Sequence, residues 1–166
     1  MAVTNFLEAL DLAGIPLLAA DRTEDDPIIV AGGPSVYNPE PYAAFFNAIL
    51  IGEGEESLLE ICQLHRRLRD EGVSRAQIVE RLATVAGTYV PSLYEVRFDE
   101  PCSPHGYTVP REGKDVPPVV YKRVVEDFGA TNPLSQSCGM RSSSTIACLS
   151  RSCVAAPAAA VFARRA

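Results

Sequence analysis

The chain has 166 residues, 47% of them hydrophobic, which is enough for one domain with a core. Its formal net charge of −6 is unevenly spread: residues 1–130 hold 21 acidic and 11 basic side chains, while residues 131–166 hold no acid and four arginines. That acidic body argues against a nucleic-acid groove, and no apolar run approaches the roughly 18 residues of a membrane span.

The N-terminus, Met1-Ala2-Val3-Thr4, has neither the basic nor the apolar region of a secretion signal, and five cysteines are an odd number. A reducing, cytoplasmic setting with free thiols follows. Cys148 and Cys153 are separated by four residues with no paired Cys-x2-Cys elsewhere, so no metal site is expected.

Thr4 predicts a helix cap for residues 5–13, with Phe6, Leu7 and Leu10 inward and Gly14 as the stop. Residues 21–26 read as a solvated loop. Ile28 to Ala31 and Ala48 to Ile51 are unbroken apolar runs, the pattern of parallel strands buried on both faces. Between them, Asn38-Pro39-Glu40 predicts the start of a short helix ending near Asn47. A long helix follows the second strand, acidic at its start (Glu53, Glu55, Glu56) and basic at its end (Arg66, Arg67, Arg69), in keeping with the macrodipole. Its buried stripe is Leu58, Ile61, Cys62 and Leu68, and Gly72 closes it. Ser74 to Gln77 has the pattern of a capping box, opening a helix with Ile78, Val79 and Leu82 inward. From Gly87 the period changes: residues 90–98 read as an edge strand, 101–110 as a hairpin loop and 119–125 as a returning strand. After Thr131 the composition turns to Ser, Ala, Cys and Arg without a periodic apolar face, predicting a disordered tail.

This α/β order places two glycine turns at the carboxyl ends of the strands, where open sheets hold ligands. Gly32, Gly33, Pro34 and Ser35 have the makings of a cradle for a phosphate or nucleotide tail, and equally of an ordinary tight turn. Gly52, Glu53, Gly54 and Glu55, continuing to Glu56, read as a polar contact for a neutral ligand group or simply as acids capping a helix. An acidic helix start is a poor phosphate site. His65 reads as a solvated helix residue and His105 as a loop residue. No nucleophile–base arrangement is legible, so no catalytic residue is assigned.

Taken together, LDLAGIPLLAADR, PIIVAGGPSVYNPEP, AILIGEGEESLLEI and GTYVPSLYEV resemble the cobalamin-binding-domain radical SAM proteins, over about residues 4–128. The resemblance implies a partial Rossmann-like, cobalamin-type domain over 1–86, a β-rich linker over 87–130, and then a radical SAM barrel. The barrel would carry a [4Fe–4S] cluster on Cys-x3-Cys-x2-Cys and use S-adenosylmethionine. Gly32 and Gly33 match the family's glycine pair beside the corrin, and Gly52 to Glu55 match its GEGE turn.

The chain departs from the family in starting at what corresponds to the third helix and in lacking both Asp-x-His-x-x-Gly and the cysteine motif. Read one nucleotide earlier, residues 151–166 are compatible with V-M-R-G-C-T-R-G-C-R-F-C-Q-A-G-M, which contains the missing cysteines. Residues 131–166 are therefore read as a frameshift product, which translation of the gene in the earlier frame checks. The expectation is a radical SAM fragment with weak cobalamin binding and no catalysis alone. Its rivals are a stand-alone cobalamin- or nucleotide-binding module and a non-enzymatic protein that self-associates through an exposed sheet edge.

Overall fold

The computed structural model describes residues 3–99, 106–125 and 161–163. Three helices form among them: α1 (Val3–Leu12), α2 (Gly54–Asp70) and α3 (Arg75–Leu82). One sheet holds β1 (Ile28–Gly32), β2 (Ala48–Leu50), β3 (Thr88–Tyr89) and β6 (Val161–Ala163) in the order β3-β2-β1-β6. A separate hairpin pairs β4 (Tyr94–Phe98) with β5 (Gly106–Pro110).

The fold is mixed α/β, but its parallel content is a single pair, β1 with β2, in the register Val30↔Ala48 to Gly32↔Leu50. Strands β3 and β6 both run antiparallel to their neighbours. The expected parallel sheet is thus reduced to its two central strands, which are the two continuous apolar runs. Strand β6 belongs to the stretch read as a disordered tail, and it lies along the edge of β1 that the sequence reading leaves exposed. The remainder of 131–166 lies outside the described residues, as do His105 and the loop 101–105.

The core forms where the apolar periodicity of the helices meets these strands. Phe6 and Leu10 of α1 are buried, and the Phe6 ring stacks on Phe46 at 4.6 Å between centroids. From α2 come Ile61 and Leu68, and from α3 Ile78, Val79 and Leu82, against fully buried Ile29 and Ile49. In the predicted stripe of α2, Leu58 packs against the core, whereas Cys62 is exposed. Gly14 and Gly72 end α1 and α2 as expected. Each has positive φ, and each helix end closes with a pair of bonds: Ile15 N–H to Leu10 O with Gly14 N–H to Asp11 O, then Val73 N–H to Leu68 O with Gly72 N–H to Arg69 O.

Several local expectations give way to a better local solution. Helix α1 already includes Thr4, whose hydroxyl bonds Asn5 rather than capping. The helix expected after Asn38 is only a 3-10 turn, Glu40–Tyr42, since Pro41 disfavours the α conformation of the preceding Glu40. Ser74 bonds the Gln77 side chain at 3.1 Å, and the Arg75 amide is capped from a distance by Glu24 at 2.9 Å. The strand returning to β4 is β5, and the expected strand 119–125 contributes only one isolated bridge, Arg123 with Gly52.

Candidate functional site

The two glycine turns lie side by side at one end of the β1–β2 pair, because Gly32 is in register with Leu50. The first leaves β1 through Gly33, whose φ of 99 and ψ of 176 belong to a region that side chains rarely adopt. Pro34–Val36 follows as a 3-10 turn, with Val36 N–H bonded to Gly33 O at 3.2 Å and Ser35 exposed. That conformation satisfies the structural requirement for Gly33 with or without a ligand.

The second turn is engaged within the chain itself. Arg123 docks beside Gly52 as a parallel bridge: its amide donates to Ile51 O at 2.9 Å, and its carbonyl accepts from Glu53 N–H at 3.0 Å. The Arg123 guanidinium donates to Glu56 at 2.9 Å and to Glu60 at 2.8 Å, and the Val125 amide donates to the Glu53 carboxylate. Hydrogen bonding to Glu56 raises the guanidinium's already high pKa, so the charge persists. Gly52 sits at φ 110, and a Cβ there would run into the Arg123 backbone, with its nitrogen only 2.6 Å away. Gly87, at φ 81, imposes the same limit from the other side: a Cβ would lie 2.9 Å from that of Arg123 and 3.0 Å from Ile51 O. Nothing lies within 4 Å of a Cβ on Gly54.

A second constellation was hidden in what the sequence presents as a solvated loop and a helix end. Arg22 is only 7% exposed and donates to the carbonyls of Pro16, Leu17 and Phe45 and to Asn47 Oδ1, at 2.8 to 3.0 Å. The same Oδ1 accepts from Ile29 N–H at 2.9 Å and from Arg75 at 3.2 Å. Burial, and then the nearby Arg75 charge, lower the Arg22 pKa to about 10, leaving it a cation at neutral pH. All of these bonds are internal, so the cluster ties the loop at 16–22 to the sheet and α3. No signal in a single sequence marks Arg22 out from its charged neighbours.

A groove of about 690 Å³ runs between α3, the turn 40–47 and the hairpin. In it the Tyr89 hydroxyl donates to Glu40, which also accepts from Thr108 at 3.2 Å. Burial, then the bond and charge of Glu40, push the Tyr89 phenol well above its ordinary pKa of 10. The folded chain therefore keeps this proton where the unfolded chain has lost it. The resulting stability is complete below pH 10 and declines as pH rises beyond it. In urea titrations, Tyr89→Phe is expected to flatten that decline by up to one proton, about 1.4 kcal/mol per pH unit. Coincident wild-type and variant profiles above pH 10 would refute this assignment.

His65 is half-buried rather than solvated, lining small cavities beside Ile28, and burial lowers its pKa. Among the described residues, no group of three His, Cys, Asp or Glu side chains converges to hold a metal ion, and no helix is long and apolar enough to cross a membrane.

The two glycine turns of this small mixed α/β unit thus lie together at the carboxyl ends of β1 and β2. The family model for the N-terminal region of radical SAM proteins matches residues 1–91, and the chain belongs to that family. No curated protein and no solved structure matches the chain. Radical SAM chemistry in the family implies a [4Fe–4S] cluster and S-adenosylmethionine. The donors here do not fit the cluster: no Cys-x3-Cys-x2-Cys occurs in the sequence, and among the described residues the only cysteine is Cys62, exposed on α2.

Proposed function

We propose that this chain is a non-catalytic N-terminal module of a radical SAM protein, derived from a cobalamin-type domain and retaining only part of its ligand-holding end. The family match over residues 1–91, which spans both glycine turns, supports the radical SAM part of this reading, and the resemblance of those turns to the cobalamin-type domain motivates the rest. The Gly33-Pro34-Ser35 turn remains the better candidate for contact with a ligand, since its outer face is exposed. In the GEGE turn, Glu53 is already bonded to residues 123–125, leaving Gly54 and the exposed Glu55 as its accessible part. A corrin would thus find the backbone of the second turn already partly engaged.

Titration of the purified chain with cobalamin, followed by absorbance and gel filtration, tests the ligand reading. Weak or absent binding is expected. A corrin spectrum that co-purifies in a stoichiometric amount would instead favour a competent cobalamin-binding module.

A further inference from the structure

The binding of residues 121–125 onto the GEGE turn does something that neither the family nor the ligand reading requires. β2 ends at Leu50, and β3 pairs with it only as far as Thr88, with Gly87 O accepting from Ile51 N–H at 2.7 Å. Beyond Gly87 the edge of β2 would be bare. Arg123 occupies that position by forming the two backbone bonds around Gly52, and its side chain then lies against the acidic first turns of α2.

The receptor has three parts that reinforce one another. Gly52 and Gly87 supply space, since a methyl group on either would intrude on Arg123. Glu56 and Glu60, one helical turn apart, supply two carboxylates for one guanidinium. Glu53 closes the far end through the Val125 amide. The chain entering this contact is held less, with Tyr121 80% exposed; beyond Arg123, Val124 is 55% exposed while Val125 is buried.

We propose that residues 121–125 are a strap that docks by strand addition on the end of β2 and releases while the rest of the domain stays folded, opening and closing that end of the sheet. Docking consumes the amide of Glu53 and covers the inner side of the GEGE turn, so an open strap presents backbone donors that a closed one hides. The strap stands on its own contacts. It bears on the ligand reading above only by deciding when the second turn is available, and loss of that reading leaves the strap unchanged.

The ion pairs that hold the segment are partly solvated and its contacts lie at the end of the sheet, which places its opening below global unfolding. The sequence supplies its own reporter, because trypsin cleaves after Lys122, at the mouth of the strap. The experiment is native-state digestion of the full chain, with cleavage after Lys122 quantified by mass spectrometry and normalised to a synthetic peptide spanning residues 117–128. The double variant Glu56→Gln, Glu60→Gln is expected to speed that cleavage roughly tenfold, while the Arg66, Arg67 and Arg69 sites within α2 keep their wild-type rates. Arg123→Gln, which leaves every receptor residue intact, should give the same increase and covers the case in which the helix variant folds poorly. Unchanged cleavage after Lys122 in Arg123→Gln would overturn the proposal. So would an increase that rises only in step with the helix sites, since the segment would then open only with the whole domain.

Discussion

Replacing Arg22 with alanine is expected to destabilise the chain by about 3–5 kcal/mol, the largest effect of any exterior-looking residue. The substitution removes the Arg22 donors to three main-chain carbonyls, and one of the three donors to Asn47 Oδ1, in a place that water does not reach freely. Each stranded acceptor costs on the order of 1–3 kcal/mol when buried, softened where local rearrangement lets water in. Lysine in its place should recover little, since one ammonium cannot reproduce the planar fork that spans Pro16, Leu17, Phe45 and Asn47. Equilibrium unfolding in urea reads the effect directly. A loss below about 1 kcal/mol would mean that these carbonyls find other partners or solvent.

Gly52→Ala is expected to cost about 2–4 kcal/mol, combining a strained positive φ with displacement of the Arg123 backbone. The second glycine of the same motif predicts the opposite sign. Gly54 opens α2 with empty space around its missing Cβ, so Gly54→Ala should be neutral or stabilising, by up to about 1 kcal/mol. Thermal unfolding of the two single variants side by side checks the pair. Equal losses at both positions would show that the turn as a whole, not the approach of Arg123, requires glycine.

Much of the scaffold was legible from local patterns. Continuous apolar runs located β1 and β2, charge asymmetry located α2, and Gly14 and Gly72 ended the helices they were assigned to. These features are local, so a window of sequence contains their cause. The misreadings share a different origin. Asn38-Pro39-Glu40 has every mark of a helix start, yet only a 3-10 turn forms, because Pro41 biases Glu40 away from α-helical backbone. Arg22 lies among acids in what looks like a solvent-exposed loop, and its burial depends on Asn47 and Phe45, which only the tertiary fold brings near.

The candidate site shows the same division. The GEGE turn could be located from its place after β2, but not its engagement, because Arg123 is an ordinary basic residue until the chain has returned to Gly52. Gly87 marked a change of period in the sequence. Its second role, leaving room for Arg123, depends on an element some 36 positions further on.

The short crossover between β1 and β2 has a kinetic consequence. With 3-10 turns in place of a crossover helix, Ile29 and Asn47 meet across only 18 positions, and the hairpin forms across a similarly short span. Val125 reaches Glu53 across 72. Loop-closure entropy rises with the logarithm of such spans, so the central pair and the hairpin can assemble early, before distant segments have been brought together. Residues 121–125 then dock onto a surface already made. Interactions formed after the folding barrier slow unfolding without hastening folding. The acidic turn that holds Arg123 is thus placed to prolong the lifetime of the native state while leaving the speed at which it is reached almost untouched.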